Sequence, residues 1–269
     1  MNIDAYLERI GFAASVRPDL STLAALHRAH LLAIPYENLD VQLGRPLTIE
    51  PASIFEKMVT NRRGGWCYEM NGLFGWALQQ LGFKVTRSAG AVMRDVSGDA
   101  SIGNHLVLKV EFDDGVYLAD VGFGDGPIDP IRVAPGTFVS HGFHFALSHE
   151  AQGWWRLHSH KGSGAPSFDF NLTEADESLL ARKCDWLQTA EESVFVQNAV
   201  CQRHTPRGIS VLRGRVLRDL TPDGHQDRLI ADAGDYSAVL NKVFGLDLPD
   251  AASLWPKICA RHEVLLAAK

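Results

Sequence analysis

The sequence predicts an α+β fold, because three parts of the chain carry different hydrophobic patterns. In residues 1–82, apolar side chains recur every three or four positions, which is the period of an amphipathic helix. In residues 83–175, several runs alternate apolar and polar side chains, as half-buried strands do. Residues 176–269 mix the two patterns. No internal repeat or low-complexity linker separates these parts, so we expect them to pack against one another.

Four helices are predicted in the first part. The first begins near Asp4 and stops at Gly11. The second has Ser21 as its predicted N-cap and ends before Pro35, because proline lacks a backbone donor and restricts the preceding residue. A third begins at Pro51, since proline is favoured in the first helical turn. The fourth is the most regular, with apolar positions at Met70, Leu73, Phe74, Ala77, Leu78 and Leu81 before Gly82.

Strands are predicted from residue 83 onwards. Residues 106–112 alternate between apolar and polar side chains. The sequence Asp113-Asp114-Gly115 supplies a hairpin turn, and residues 116–121 form the returning strand. Shorter runs predict further strands at 143–147, 154–157 and 209–217, and helices at 236–244 and 252–266.

Composition and charge exclude several classes of protein. With 46% hydrophobic and 22% charged residues, the 269-residue chain is neither disordered nor collagen-like. Four cysteines without a CxxC motif are too few for a disulfide scaffold and suit a reducing compartment. The net charge of −6 disfavours binding to nucleic acid or an anionic membrane. Since we find no secretory signal and no apolar window of about 18 residues, we expect a soluble, cytoplasmic protein.

Cys67 is the candidate nucleophile, because Arg63-Gly64-Gly65-Trp66 places it at the predicted start of the most regular helix. Unpaired N–H groups and the positive end of the helix dipole favour a thiolate there. The two glycines are expected to form a tight turn that brings the sulfur into an open cleft. The alternative is a buried, inert cysteine, which is a common state of free cysteines.

A nucleophilic cysteine needs a base and a group that orients the base. His105 and Asp120 are the candidates, since they lie at neighbouring ends of the two hairpin strands. With a two-residue loop at Asp114-Gly115, Asp120 lies opposite Lys109, roughly 13 Å along the strand from His105. A bulge or a longer loop is then needed to join them. The chain has 11 histidines, so others compete for the role of base.

Three short motifs contain residue types that bind metals, namely His141 with His144, His158 with His160, and Cys201 with His204. None forms two paired clusters with the spacing of zinc ligands. We therefore predict no metal site.

Four motifs resemble those of the arylamine N-acetyltransferase family. Residues 63–71, RGGWCYEMN, resemble its RGGxCxxxN signature, and residues 33–40, AIPYENLD, resemble its IP(F/Y)ENL segment. Residues 104–106 and 118–124 are similar to the segments that hold the other two members of the family's catalytic triad, in the same order. The resemblance is strongest in about the first 130 residues.

The resemblance implies a fold in three parts. A helical bundle at residues 1–82 carries the nucleophile, and a central β-barrel at 83–190 carries the base and its orienting acid. A C-terminal α/β lid at 191–269 completes the fold around a Cys-His-Asp core like that of cysteine proteases. This order agrees with the helices and strands predicted from the residues.

The resemblance also implies an activity, which is transfer of an acetyl group from acetyl-CoA to an arylamine, arylhydrazine or arylhydroxylamine. In that reaction Cys67 is the acetyl acceptor, His105 is the base and Asp120 orients the base. Arg63 and Glu37 match an ion pair that stabilises the site. The implied mechanism is a ping-pong cycle through an acetyl-cysteine, with acetyl-CoA as co-substrate and no metal.

Substrate contacts are implied in the same way. Val92, Phe123 and Phe195 match positions that line the slot for the acceptor's ring, and ordinary core packing is the alternative for Val92 and Phe195. Phe123 lies between two glycines, which lets the loop approach a ligand closely. Asn104 and Gly124 match positions near the pantetheine of CoA.

The phosphates of CoA need positive charge, and one stretch without acidic residues offers it through Arg203, Arg207, Arg213, Arg215 and Arg218. The alternative is the solvated face of a strand. The expected partners are acetyl-CoA and small aromatic amines or hydrazines, with no nucleic acid and no membrane. The physiological acceptor and the oligomeric state stay open.

Three other functions also stay open at this point. An acyltransferase that closes a macrolactam would use Cys67 with a longer acyl donor. A thiol hydrolase or a transglutaminase-like enzyme would release acid or ammonia. A module that binds CoA or sequesters amines without catalysis would need no nucleophile, so the three triad residue types count against it.

Overall fold

The computed structural model describes residues 1–267, which form the mixed α+β architecture that the sequence predicts. The helices are α1 (Ile3–Arg9), α2 (Leu20–Ala33), α3 (Leu39–Gln42), α4 (Pro51–Phe55), α5 (Cys67–Gln80), α6 (Arg94–Ser97), α7 (Glu177–Thr189), α8 (Val194–Gln197), α9 (Ala233–Phe244) and α10 (Trp255–Ala267). The strands are β1 (Tyr36–Glu37), β2 (Lys84–Val92), β3 (His105–Phe112), β4 (Gly115–Leu118), β5 (Ile131–Arg132), β6 (Gly136–Ser140), β7 (Phe143–His149), β8 (Trp155–His158), β9 (Ser167–Phe170), β10 (Val200–Thr205), β11 (Gly208–Arg213), β12 (Val216–Thr221) and β13 (Gly224–Leu229). Residues 268 and 269 of the predicted C-terminal part lie outside the described residues.

Eight strands form one antiparallel sheet in the order β5-β4-β3-β2-β9-β8-β7-β6. Ile131 on one edge strand and Phe143 beside the other edge belong to the same buried cluster, so the sheet curls around its own apolar face. Within residues 1–267 the edge strands β5 and β6 do not pair with each other. The sheet is therefore an open half-barrel, where the resemblance implied a barrel.

Strand β3 is buried on both faces, which places it between two cores. Leu106, Leu108 and Val110 face the helices and pack in the same cluster as α5, whereas Val107 faces the inside of the half-barrel. The alternation in the sequence predicted a half-buried strand. The second face is covered because the sheet curls over it, and a curl of this kind leaves no local signal in the sequence.

The other five strands form a second sheet in the order β1-β10-β11-β12-β13. Its first strand comes from residues 36–37, inside the predicted helical part, and pairs with Cys201 and Gln202 of β10. Helices α9 and α10 cover one face of this sheet through a cluster that includes Tyr236 and Ile258. The two ends of the chain therefore share one sheet.

Helix α2 begins earlier than predicted. Asp19 is its N-cap, because the Asp19 carboxylate accepts a hydrogen bond from the backbone N–H of Thr22 at 2.8 Å. The predicted cap, Ser21, donates its own hydroxyl to Asp19 instead. After α4 the chain continues in a wider π-helical turn, Glu56–Thr60. In the part of the chain that the structure describes, no helix has the length and apolar composition needed to span a membrane.

Candidate active site

Cys67 is the first residue of α5, which confirms its predicted place at the positive end of that helix. The Glu69 carboxylate accepts a hydrogen bond from the backbone N–H of Trp66 at 3.2 Å, which fixes the start of the helix. Cys67 is only 3% exposed, and its Sγ lies 4.0 Å from the carbonyl oxygen of Asn104. The sulfur is therefore buried, whereas the sequence predicted that it lies in an open cleft.

The two glycines before Trp66 are required by close packing and not by a turn. Neither has a positive φ angle. A Cβ atom on Gly64 would collide with the carbonyl oxygen of Pro35, and one on Gly65 would lie 2.8 Å from Cβ of Glu69. The prediction that these glycines expose the sulfur is therefore wrong, since they let the segment press against β1 and α5.

The hairpin that carries His105 and Asp120 has a different register from the predicted one. Its turn falls one residue earlier, at Asp113-Asp114, which shifts the strand pairing by two residues. Asp120 then follows the ladder to a position opposite Val107, two residues along from His105. Diagonal neighbours on one face of a sheet are within side-chain reach, so no bulge is needed. The imidazole Nε2 of His105 lies 2.7 Å from Oδ2 of Asp120.

Asn71 ties this pair to the helix of Cys67. It follows Cys67 by four residues, so both lie on one face of α5. The Nδ2 of Asn71 donates to Oδ1 of Asp120 at 2.7 Å and to the carbonyl of Leu106 at 2.6 Å, and its Oδ1 accepts from the N–H of Val121 at 2.9 Å. The sequence reasoning gave Asn71 no role, although it closes the RGGxCxxxN motif. We refer to Cys67, Asn71, His105 and Asp120 as the thiol cluster.

Asp120 is held as a carboxylate. Burial would raise its pKa, but the charge of His105 and the hydrogen bonds from His105, Asn71 and the N–H of Gly122 outweigh burial. The pKa of Asp120 is therefore below its ordinary value. An ionised carboxylate in this position stabilises a protonated imidazole and fixes the orientation of the ring.

The thiol of Cys67 shows the opposite behaviour. Burial raises its pKa, the neighbouring Cys184 adds to the effect, and the backbone N–H groups of Leu106 and Tyr68 oppose it. Within residues 1–267 no hydrogen bond joins Sγ to the imidazole of His105. The helix dipole alone does not ionise this sulfur, so a thiolate requires a proton acceptor inside the site.

A group of buried charges adjoins the start of α5. Arg63 binds Glu37 at 2.8 Å, the pair that the resemblance implied, and also Asp40 at 3.1 Å. Lys57 binds Asp40 at 2.8 Å and Glu69 at 2.9 Å. Glu37 is completely buried. We call these five residues, two cations and three carboxylates, the ionic cluster; the sequence indicated only one of its pairs.

The ionic cluster holds its charges in fixed opposition. Burial would raise the pKa of Asp40, but Lys57 and Arg63 outweigh burial and keep that pKa low. Burial would lower the pKa of Lys57, yet its carboxylate neighbours raise it. Since Glu69 also caps α5, the cluster anchors the helix that carries Cys67. It is not an exposed ion pair of little energetic value.

The aromatic residues predicted to line the acceptor slot lie in two places. The ring of Phe123 lies 5.7 Å from that of His105 and 4.7 Å from that of Phe168. The ring of Phe195 meets Trp66 edge-on at 5.3 Å, next to the nucleophile in the chain. Phe123 and Phe195 are both partly buried. Their contact with an acceptor stays a prediction.

The two residues predicted to contact CoA have protein partners. The side-chain amide of Asn104 accepts from the N–H of Val92 at 2.7 Å and donates to its carbonyl at 3.2 Å. Val92 itself is partly buried in the cluster inside the half-barrel. Gly124 has a φ of +83°, and a Cβ atom there would collide with the side chain of Gln202. These contacts explain both residue types without a ligand, so the CoA contacts also stay a prediction.

Comparison with known proteins identifies the family. The N-acetyltransferase family model matches residues 19–253. The chain is 35% identical over 270 residues to an arylamine N-acetyltransferase of Mycolicibacterium smegmatis, with 94% of each chain covered. The chain belongs to the arylamine N-acetyltransferase family. The structure of the Mycobacterium marinum arylamine N-acetyltransferase in complex with CoA is also similar, with a TM-score of 0.86, 29% identity, and 97% of this chain and 98% of that chain covered.

In this arylamine N-acetyltransferase family member, the arginine-rich stretch does not form one surface. Arg218 binds Asp227 at 2.7 Å. Arg207 lies exposed at one end of β11, and Arg213 lies at the other end, next to Arg215 and α10. Among residues 1–267, no group of three His, Cys, Asp or Glu side chains is placed to hold a metal ion.

Proposed function

We propose that this chain transfers an acetyl group from acetyl-CoA to an arylamine, arylhydrazine or arylhydroxylamine through an acetyl-Cys67 intermediate. The observation that carries the proposal is the link from the helix of Cys67 through Asn71 to the His105–Asp120 pair. Membership of the family and the CoA complex of the Mycobacterium marinum relative support acetyl-CoA as the donor.

In the first half-reaction, His105 accepts the proton of Cys67 as the sulfur attacks the thioester carbonyl. A buried thiolate alone is costly, but a proton transfer to His105 forms an ion pair, which burial penalises much less. The ionised Asp120 stabilises the imidazolium. The tetrahedral intermediate collapses, its bond to the CoA sulfur breaks, and the imidazolium protonates the departing CoA thiolate.

In the second half-reaction, the amine attacks the carbonyl of acetyl-Cys67. His105 accepts a proton from the amine nitrogen, the bond from carbonyl carbon to Sγ breaks, and the proton returns to the sulfur. Exchange between two thioesters is nearly balanced in free energy, whereas the amide product is more stable. The covalent intermediate therefore divides the transfer without trapping it.

The surroundings of Cys67 supply the other groups that the reaction needs. The backbone N–H groups at the start of α5, where Cys67 lies, are donors for the developing oxyanion. The rings of Phe123 and Phe195, beside His105 and Trp66, provide aromatic faces for a planar acceptor.

Intact-protein mass spectrometry tests the intermediate. Acetyl-CoA is expected to add one acetyl group, and a hydrazine such as isoniazid is then expected to remove it as the acetylated hydrazine. Cys67→Ser is expected to lose the adduct, whereas Cys259→Ser, which removes a half-buried thiol elsewhere, is expected to keep it. Full acetylation of Cys67→Ser, or release of acetate instead of acetylated hydrazine, would contradict the proposal.

A further inference from the structure

A depression lies where α8, the turn between β11 and β12, and α10 meet. Its polar lining consists mainly of Gln197, Asn198, Arg213, Arg215, Lys257, Arg261 and His262. Among the described residues that line it, none is Asp or Glu. We call this depression the α8–α10 pocket. The thiol cluster does not contribute to it.

The cations of the α8–α10 pocket have no carboxylate partners in the described chain. Arg213 and Lys257 form neither a hydrogen bond nor an ion pair through their side chains within residues 1–267. Arg261 donates to the amide oxygens of Asn198 and Gln197, each at 3.1 Å. These amides leave the positive charge of Arg261 uncompensated.

Contacts with the protein hold Arg215 in place, but one of its N–H donors has no hydrogen-bond partner in the described part of the chain. Its guanidinium lies over the ring of Trp255 at 5.3 Å and donates to the carbonyl of Ile230 at 3.2 Å. Its Nε is buried without a hydrogen-bond partner in the described part of the chain. By contrast, Arg218 on the neighbouring strand binds Asp227 at 2.7 Å. Arg218 therefore has a carboxylate partner, whereas the arginines of the α8–α10 pocket have none among the described residues.

The overall composition does not account for such a cluster, because the chain carries 32 acidic residues against 26 lysines and arginines. Cations that share a partly enclosed site repel one another, and burial lowers the pKa of Lys257. An anion bound between them relieves the repulsion and forms charge-assisted hydrogen bonds.

The size of the pocket restricts the kind of anion. Its enclosed volume is about 20 Å³, little more than one water molecule requires. The oxygens of one oxyanion fit such a space. Guanidinium groups match phosphate through paired N–H donors, and several cations favour a dianion over a monoanion.

We propose that the α8–α10 pocket binds a phosphate group carrying two negative charges. The half-buried Arg215 and Arg261 form its inner side, and the exposed Arg213 and Lys257 close over the anion from the rim. The phosphate group belongs either to CoA or to a free phosphorylated compound. Only the first source rests on the proposed function.

Isothermal titration calorimetry with inorganic phosphate, at constant ionic strength, tests the pocket in the full chain. The double variant Arg213→Gln/Lys257→Gln is expected to weaken phosphate binding at least about tenfold, because charge-assisted hydrogen bonds are lost. Arg207→Gln is the matched control, since Arg207 is exposed at the opposite end of β11 and outside the pocket. It is expected to bind phosphate as the wild type does.

Titrations with CoA and with its analogue that lacks the 3′-phosphate identify the source. If the double variant binds CoA more weakly, the pocket holds a phosphate of the co-substrate. If it binds both forms of CoA unchanged and phosphate more weakly, the pocket holds a free phosphate. The unfolding temperature in phosphate-free buffer, expected to be no lower in the double variant, shows that the fold is kept.

Three results would overturn the proposal. They are no phosphate binding by the wild type, equal phosphate affinity in the wild type and the double variant, and an equal loss in Arg207→Gln. None of these titrations depends on acetyl transfer, so failure of the pocket and failure of the proposed function are distinguishable.

Discussion

The ionic cluster and the thiol cluster both adjoin the start of α5, but they balance charge in different ways. In the ionic cluster, two cations lie within hydrogen-bond distance of three carboxylates, so each charge faces a fixed opposite charge. In the thiol cluster, one ionised carboxylate faces an imidazole, and the thiol beside them is kept neutral by burial. The first arrangement places its charged groups in salt bridges, whereas the second contains a thiol proton and an imidazole able to accept it.

The two clusters therefore have different roles. Fixed opposite charges position the helix, and a movable proton allows chemistry. Removing one member of the ionic cluster should therefore destabilise the fold, and removing one member of the thiol cluster should slow the reaction with the fold intact.

The largest effect is expected for Asp120→Asn, which replaces the only permanent charge of the thiol cluster with an amide. We expect kcat for acetyl transfer to fall about 10⁴-fold, as for the equivalent change in a Ser-His-Asp triad, because the amide neither stabilises the imidazolium nor selects its tautomer. Steady-state kinetics and circular dichroism measure activity and fold together. Asp129→Asn, at an exposed carboxylate paired with Arg28, is the control and should keep wild-type activity. A kcat within tenfold of the wild type would remove Asp120 from the mechanism.

Arg63→Met should produce the next largest effect, this time on stability. It leaves the buried Glu37 without its cation, and breaking a buried pair in this way costs about 3–5 kcal/mol. The free energy of unfolding in urea measures the loss. Arg28→Met breaks an exposed pair of similar length and should cost no more than about 1 kcal/mol. Equal losses in the two variants would show that the ionic cluster does not anchor the fold.

The sequence predicted the parts of both clusters that depend on local patterns. The start of α5 at Cys67 follows from hydrophobic period and glycine spacing, and the pair Arg63–Glu37 was available only through the family resemblance. The hairpin register was predicted two residues off, because Asp113-Asp114-Gly115 contains two possible two-residue turns and the choice depends on packing of the flanking strands.

Contacts between distant segments could not be predicted from the sequence. The bond from Asn71 to Asp120 spans 49 residues and exists only because α5 packs against β3. The burial of Cys67 likewise arises from the tight approach of Gly64 and Gly65 to their neighbours. Local helix electrostatics favoured an ionised sulfur, whereas tertiary burial favours a neutral one.

Asn71→Ala should affect the geometry of the thiol cluster without removing a reacting group, because Asn71 is a positioning residue. Without its bond to Asp120 the His105–Asp120 pair is free to shift, and we expect kcat to fall about 10²-fold, the effect of a small misplacement of catalytic groups. The KM for acetyl-CoA should change little, so the ratio of the two effects distinguishes positioning from binding. Gln79→Ala, at an exposed position of the same helix, is the control. A change confined to KM would contradict a positioning role.

The smallest effect is expected on the ionisation of the Cys67 thiol in the absence of substrate. The rate at which iodoacetamide alkylates Cys67, followed as a function of pH in a Cys259→Ser background, measures it. Burial raises the pKa of Cys67, so any thiolate at neutral pH depends on proton transfer to His105. In His105→Gln the acceptor is gone, and the pH at which alkylation reaches half its maximum rate should move upward. The midpoint moves upward because the thiolate of Cys67 loses the imidazolium of His105 as its cation partner, and this loss disfavours the charged form of the thiol. If the midpoint stays where it is in the wild type, the imidazole does not take the thiol's proton before substrate binds, and the two clusters differ less than their charges indicate.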